Sequence, residues 1–219
     1  MSTTTTKRMG RPPKVTRDEI LDAAEQWEPG ELQFTALAEA LGISVKTLYY
    51  YFPARQALLD ALTERAVADM GLPDIMQAAS WRAVLTEVAL WFYRLGRERP
   101  GSFIDTNVAT KRVGLQLLRL TFVRLGELGW TTSDAMRANI VVSNWAVCRG
   151  ESAHANPVDK YSPEETRAML ADYFSADVAD QMTAVAQLFG SDRQLFDDGL
   201  AIVLAGIEQL IVNKSAART

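Results

Sequence analysis

The fold is decided by the stretch Thr35-Ala-Leu-Ala-Glu-Ala-Leu-Gly-Ile-Ser-Val-Lys-Thr-Leu-Tyr-Tyr-Tyr-Phe52, whose pattern predicts two short helices joined by a tight turn. We expect the Thr35 hydroxyl to cap the first helix. Gly42 stands where a helix ends in a left-handed residue. Ser44 is the expected cap of the second helix. The stretch therefore predicts a helix-turn-helix.

The second of these helices is predicted to carry a polar and aromatic outer face. Leu48 and Phe52 lie four residues apart and mark the side that packs inward. Each residue turns a helix by about 100°, so the side away from Leu48 is predictable. That side carries Lys46, Thr47, Tyr49 and Tyr50. Lysine suits phosphate or guanine, and aromatic rings suit thymine methyl groups, so a recognition helix in a DNA major groove is indicated. The alternative is that the tyrosines pack under the rest of the protein.

The first seventeen residues form a basic arm without any acidic side chain, although the whole chain has a net charge of −4. Its cations are Lys7, Arg8, Arg11, Lys14 and Arg17. Gly10 and the Pro12-Pro13 pair oppose helix formation. We therefore expect a flexible arm beside the helix-turn-helix, suited to phosphates or to a minor groove. The alternative is a solvated terminus without a role.

Further helices are predicted on both sides of the helix-turn-helix. Thr16 and Glu19 have the spacing of a capping box, which opens a first helix that Pro29-Gly30 is expected to end. After Pro53 a new helix begins, with Arg55 in its first turn. Its apolar residues at helical spacing are Leu58, Leu59, Leu62 and Ala66. The amino-terminal quarter of the chain thus forms a three-helix unit that continues into a fourth helix.

Four motifs in this region resemble those of the tetracycline repressor family of transcription regulators. They are Ile20-Leu-Asp-Ala-Ala24, Leu37-Ala-Glu-Ala-Leu-Gly-Ile-Ser44, Leu48-Tyr-Tyr-Tyr-Phe52 and Ala57-Leu-Leu-Asp-Ala-Leu62. The resemblance implies a homodimer with two DNA-binding heads and an all-helical body that binds a small molecule. By position, it assigns contact with double-stranded operator DNA to Thr35, Val45, Lys46, Tyr49, Tyr50, Tyr51 and Arg55.

The remainder of the chain is predicted to be all-α. We divide the 219 residues into a head of residues 1–62 and a body of residues 63–219, which is long enough to bury a core. Body helices are predicted over 81–97, 113–128, 133–150 and 192–213. Ser133 is the expected cap of the third of these. The segment 152–162 is predicted to be a loop that holds His154, the only histidine.

The last helix is apolar over more than one stripe, which predicts burial on several sides. Gly199 and Gly206 lie seven residues apart and would let another helix approach closely. We expect this helix and the one over 133–149 to form a four-helix bundle with a second copy. The alternative is a core helix of a monomer. The motif Phe196-Asp-Asp-Gly-Leu200 also resembles the closing dimer helix of the family.

An effector pocket is predicted inside the body. Its candidate residues are Val88, Phe92, Phe103, Phe122, Met136, Asn139, Asn144, Trp145 and Cys148. Taken singly, Cys148 is interpreted as a small core residue. The resemblance places Phe103 where tetracycline-binding members carry a metal-binding histidine, and Val88 where they carry a drug-contacting asparagine. A phenyl ring offers Mg²⁺ no ligand, so a largely apolar, metal-free effector is predicted. The alternative is a regulator without a small effector.

The sequence gives little sign of catalysis. One histidine and one cysteine supply no cluster with metal-ligand spacing, and no phosphate-binding loop or nucleophile elbow occurs. We therefore predict neither an enzyme nor a bound cofactor or metal. The chain has neither an apolar run near 18 residues nor a signal-peptide pattern, which predicts a cytoplasmic protein.

Overall fold

The structure, a computed structural model, describes residues 15–27, 30–101, 108–157, 160–188 and 191–216. The described residues are all-α, as predicted. Their helices are α1 (Arg17–Ala24), α2 (Phe34–Ala40), α3 (Val45–Tyr51), α4 (Arg55–Met70), α5 (Trp81–Glu98), α6 (Val108–Glu127), α7 (Thr132–Ala155), α8 (Pro163–Ala171), α9 (Ala176–Leu188) and α10 (Asp192–Ala216), with a 3-10 turn at Ile75–Gln77. The chain divides into two compact units between Arg65 and Ala66.

The capping box at the start of α1 is confirmed. The Thr16 hydroxyl accepts a hydrogen bond from the Glu19 amide at 3.2 Å, and the Glu19 carboxylate accepts one from the Thr16 amide at 2.7 Å. The helix ends at Ala24, earlier than expected from Pro29-Gly30, because a turn closed by Trp27 N–H to Ala24 O follows it. Pro29 itself lies outside the described residues.

The predicted cap at Thr35 is wrong, whereas the turn and the second cap are confirmed. Helix α2 already begins at Phe34, and its N-cap is Gln33, which makes no side-chain capping bond. Phe34 is buried in the core of the first unit, so its burial draws the helix start ahead of Thr35. Gly42 has a φ of +62°, and Ser44 accepts the Thr47 amide.

One apolar core holds the first unit together. Its centre comprises Ile20, Leu37, Leu48, Phe52 and Leu58, all at most 2% exposed. Arg65 on α4 pairs with Asp22 on α1 at 2.6 Å, which adds a polar tie at the rim of this core. The inward direction predicted for Leu48 and Phe52 is therefore confirmed, and it fixes which side of α3 faces outward.

Helix α5 is the centre of the second unit. It packs against α6, α7 and α10, and its buried side chains include Val84, Leu85 and Val88. Its span agrees with the predicted helix over 81–97. Glycines bring α5 and α7 into backbone contact, since a β-carbon added to Gly150 would lie 2.2 Å from Tyr93 O. Gly150 therefore marks a helix crossing rather than the predicted helix end.

Helix α7 is longer than expected at both ends. Its N-cap is Thr131 rather than Ser133, because the Thr131 hydroxyl accepts the Asp134 amide and donates to the Asp134 carboxylate. The helix continues to Ala155, so the predicted loop over 152–162 is helical in its first part and His154 lies on a helix. Ala153 is 4% exposed, so the buried face of α7 extends past Gly150.

Helices α8 and α9 pack on each other and carry an ion pair between Arg167 and Asp180. A capping box opens α8, in which the Ser162 amide and hydroxyl bond the Glu165 carboxylate and lower its pKa.

Helix α10 begins at Asp192, as predicted. In the part of the chain that the structure describes, no helix is long and apolar enough to cross a membrane.

Candidate nucleic-acid interface

The outer face of α3 presents an aromatic and basic surface. Leu48 is fully buried, whereas Tyr50 is 84% exposed and Tyr49 is 53% exposed. Lys46 is exposed as well, and Val45 and Thr47 are half-buried at the edges of this face. The structure thus brings Lys46, Tyr49 and Tyr50 together on one surface of the first unit. We call these three residues the α3 outer face.

Neighbouring groups hold this face in place. The Tyr49 ring packs against Phe34 with 5.1 Å between centroids. Tyr50 and Tyr51 meet edge to face at 5.3 Å. The hydroxyl oxygens of Ser44 and Thr47 lie 2.9 Å apart in the first turn. A short helix that is capped at its start and supported by rings presents its exposed side chains in a fixed direction.

Three other candidate DNA contacts are engaged within the first unit. The Tyr51 hydroxyl donates to the Val15 carbonyl at 2.6 Å, and Arg55 Nε donates to the Leu32 carbonyl at 2.8 Å. The Arg17 guanidinium lies 5.1 Å from the centroid of the Phe52 ring. Sequence reasoning missed these contacts. A signal was available for Tyr51, because a residue three positions after the buried Leu48 lies on its side of the helix.

Of the remaining candidate DNA contacts, one lies on α2 and the others lie outside the described residues. Thr35 is exposed in the first turn of α2. Arg11 and Lys14 of the basic arm are outside the described residues. The first described residue, Val15, is only 5% exposed and belongs to the core of the first unit. The part of the arm before Val15 is therefore attached to the first unit at a buried residue.

The candidate pocket residues of the second unit fall into two groups. Val88, Phe92 and Phe122 belong to the inner core or pack against it. Asn139 is 8% exposed, and its Oδ1 has no hydrogen-bond partner among the described residues. An unpaired buried amide oxygen is costly, which makes it a place where a bound donor would be stabilised. Phe103 lies outside the described residues.

The other group lies on the outer side of α7. Met136 is 40% exposed, and Asn144 and Cys148 are exposed too. The interpretation of Cys148 as a core residue is wrong, because Ala146, Val147 and Gly150 occupy the buried side of this turn. Trp145 is half-buried and stacks on Phe196 at 5.3 Å, where it also fills the space that a β-carbon on Gly199 would need.

Apolar side chains continue along the outer sides of α7 and α10. Ile140 is 47% and Val141 50% exposed on α7, and Ile202 is 73% and Leu210 67% exposed on α10. A groove here is lined by Trp130, by residues of α7 and α10 that include Val141, Ile207 and Leu210, and by the charged Asp134 and Arg137. We call Ile140, Val141, Ile202 and Leu210 the α7–α10 apolar face. Exposed apolar patches of this kind mark interaction surfaces.

Known proteins share both the motifs and the fold. Residues 29–62 match the family model described as bacterial regulatory proteins, tetR family. The HTH-type transcriptional repressor DrrR1 of Streptomyces coeruleorubidus is 25% identical over 94% of this chain and 82% of its own. The class D tetracycline repressor protein of Escherichia coli is 28% identical over 90% of this chain and 88% of its own. These similarities support a TetR-family regulator with a TetR-like body.

The structural neighbours agree with this family assignment at the level of the fold. The TetR family protein ActR of Streptomyces coelicolor, crystallised in complex with actinorhodin, superposes with a TM-score of 0.62. The match is 18% identical and covers 89% of this chain and 97% of ActR. A TetR-family chain is a transcription regulator that binds DNA through its helix-turn-helix, and the exposed face of α3 lies in the matched region.

Proposed function

We propose that this TetR-family chain is a cytoplasmic repressor that binds a palindromic operator as a homodimer and is released by a small, largely apolar ligand. In this proposal residues 1–62 bind DNA, and residues 63–219 bind the ligand and dimerise. The observation that carries the proposal is the α3 outer face, where Tyr50 is 84% exposed beside an exposed lysine although Leu48 is fully buried.

This face has the chemistry of direct readout. A lysine ammonium bonds guanine O6 or N7 or a phosphate, and tyrosine supplies a ring for thymine methyl groups and a hydroxyl for phosphate. Lys46 lies in the first turn of α3, and the amino-terminal part of a recognition helix is the part that contacts base edges. Thr35, Arg55 and the basic arm would anchor the DNA backbone around this contact.

The α7–α10 apolar face supports a homodimer. A two-fold interface brings the same patch of both copies together, so it must be self-complementary. Apolar side chains such as Ile202 and Leu210 meet this requirement without charge pairing. Gly206 lies on the same helix, and a β-carbon there would have no neighbour within 4 Å in the single chain. Four helices, two from each copy, would then hold the heads about one DNA turn, roughly 34 Å, apart.

Asn139 supports a ligand-binding role for the second unit. Its Oδ1 is buried and has no hydrogen-bond partner among the described residues. Small-molecule sites usually combine a mainly apolar lining with a few polar anchors, and this oxygen would be such an anchor. The TetR family protein ActR, whose fold is similar, was crystallised in complex with actinorhodin, which supports a small-molecule effector for this chain. Ligand binding would favour a head spacing that no longer fits the operator.

A selection experiment tests the proposal. The purified chain is incubated with a pool of random duplexes at physiological salt, and bound duplexes are amplified and sequenced over several rounds. We expect a two-fold symmetric consensus whose half-sites lie about one helical turn apart. A variant with Lys46→Ala and Tyr50→Ala should enrich no such consensus. If the wild-type chain enriches no sequence, the proposed function is wrong.

A further inference from the structure

We propose that Tyr51 positions the basic arm beside the recognition helix and does not itself contact DNA. This inference rests on the proposed DNA-binding function. It gives Tyr51 a role that differs from the DNA contact implied by its place in the family motif. The role is carried by the hydrogen bond from the Tyr51 hydroxyl to the Val15 carbonyl, 2.6 Å long, which joins the end of α3 to the residue where the arm meets the head.

The hydroxyl chemistry separates the two roles. A tyrosine hydroxyl has one proton to donate, and a carbonyl oxygen and a phosphate oxygen both only accept. While Tyr51 donates to Val15, it has no proton for a phosphate. Tyr50, the next residue, is 84% exposed, and its hydroxyl makes no hydrogen bond among the described residues. We therefore assign the contact with DNA to Tyr50 and the contact with Val15 to Tyr51.

The attachment point is held from several sides. Val15 is 5% exposed and belongs to the same core as Leu48 and Phe52, and Tyr51 packs against that core. On the other side of Thr16, the Arg17 guanidinium lies over the Phe52 ring at 5.1 Å. Tyr51, the last residue of α3, thus contacts Val15, and the following Phe52 contacts Arg17. Val15 and Arg17 stand on either side of Thr16, the cap of α1. The start of the head is fixed relative to the recognition helix.

A fixed attachment point limits where the arm charges can be. The Cα atom of Lys14 is about 3.8 Å from that of Val15, and Arg11 is within about 14 Å of it even when the chain is fully extended. Chain length alone therefore keeps both cations within about 14 Å of Val15. Without the tie, the arm must lose more conformational freedom when its cations reach the phosphates, which weakens binding.

A double-mutant cycle in the full chain tests this role. The variants are Tyr51→Phe, the arm variant Arg11→Ala with Lys14→Ala, and all three substitutions together. Each is titrated by fluorescence anisotropy, from 50 to 200 mM salt, with the duplex that the wild-type chain selects from a random pool. The salt slope is the slope of log affinity against log salt concentration. We expect Tyr51→Phe to lower it by up to about one unit, which means that the loss of affinity between 50 and 200 mM salt becomes up to about fourfold smaller. In the arm variant, Tyr51→Phe should have no further effect. Tyr50→Phe is the matched control, and its effect should be the same with or without the arm charges.

Two outcomes overturn the inference. If Tyr51→Phe weakens binding equally with and without the arm charges, Tyr51 contacts DNA directly. If Tyr51→Phe changes nothing, the tie has no role. Hydrogen exchange without DNA gives a second readout: the amides of residues 16–20 should exchange faster in Tyr51→Phe than in wild type or in Tyr50→Phe. Equal exchange rejects the tie. A wild-type chain that binds no DNA rejects the proposed function instead, and the exchange comparison still tests the tie.

Discussion

Gly96 on α5 and Gly150 on α7 pack reciprocally at the point where their helices cross. A β-carbon on Gly96 would lie 2.3 Å from Val147 O, and one on Gly150 would lie 2.2 Å from Tyr93 O. Gly96 therefore leaves room for the Val147 carbonyl, three residues before Gly150, and Gly150 leaves room for the Tyr93 carbonyl, three residues before Gly96. The contact is between backbones, so no side-chain rotation can relieve a clash there, and it holds α7 in a fixed position against the central helix of the second unit.

Replacing either glycine at this crossing should destabilise the protein. For Gly150→Ala we expect the free energy of unfolding to fall by about 1 to 3 kcal/mol, because the two backbones must separate. Gly114→Ala is the matched control, since Gly114 lies within α6 and a β-carbon there meets nothing within 4 Å. The control should leave stability unchanged or raise it by up to about 1 kcal/mol. Urea denaturation at constant protein concentration measures both. If Gly150→Ala were as stable as Gly114→Ala, the two helices would not be in tight contact at this crossing.

Gly206 tests the homodimer. Gly206→Glu places a charge on the α7–α10 apolar face, where a single chain has open space, so the fold should persist while the dimer dissociates. Gly126→Glu is the control, because Gly126 is also an exposed helical glycine with no neighbour within 4 Å. Sedimentation at micromolar concentration should give a dimer for wild type and for the control and a monomer for Gly206→Glu. A monomeric wild type would exclude the dimer.

Asn139 tests the effector site. An unpaired buried oxygen costs about 1 to 3 kcal/mol, so Asn139→Leu should be at least as stable as wild type. Compounds that raise the melting temperature of the wild-type chain in a thermal-shift screen should fail to do so in this variant. Ser143→Ala is the comparison, since the Ser143 hydroxyl donates to Ile140 O at 3.3 Å and its loss removes a bond. A marked loss of stability in Asn139→Leu would show that Asn139 is structural.

Magnesium-tetracycline is predicted not to be the effector. Val88 is fully buried and cannot hydrogen-bond a polar drug amide. Calorimetric titration with tetracycline, with and without Mg²⁺, should show no magnesium-dependent binding at micromolar affinity. A tetracycline repressor protein serves as the positive control. Magnesium-dependent binding by this chain at that affinity would show that the interpretation of its pocket is wrong.

Features set by neighbours in sequence were predictable. Gly42 ends α2 and Ser44 caps α3, because both depend only on local backbone chemistry. The outward direction of Lys46 and Tyr50 followed from helical periodicity around Leu48. The Thr35 cap failed because burial of Phe34, a tertiary effect, moved the helix start.

Features that join distant segments were not predictable. The bond from Tyr51 to Val15 spans 36 residues and depends on how α3 packs against the start of α1. The crossing of Gly96 and Gly150 similarly gives no signal within either helix alone. Cys148 was assigned to the core because its neighbours are apolar, but Ala146 and Val147 occupy the buried positions and Cys148 turns outward. Periodicity predicts that a face is apolar but not what covers it.

The central claim is that the first unit reads DNA through the α3 outer face, and one titration tests it most directly. Lys46→Ala and Tyr50→Ala are compared with wild type by fluorescence anisotropy on the selected duplex and on a shuffled duplex. Tyr173→Ala is the control, because Tyr173 is as exposed as Tyr50, at 84%, but belongs to the second unit. We predict that each α3 variant loses about 1 to 3 kcal/mol on the selected duplex, as expected for a base-reading side chain, and much less on the shuffled one, while the control binds as wild type does. Unchanged affinity of both α3 variants for the selected duplex would contradict the account.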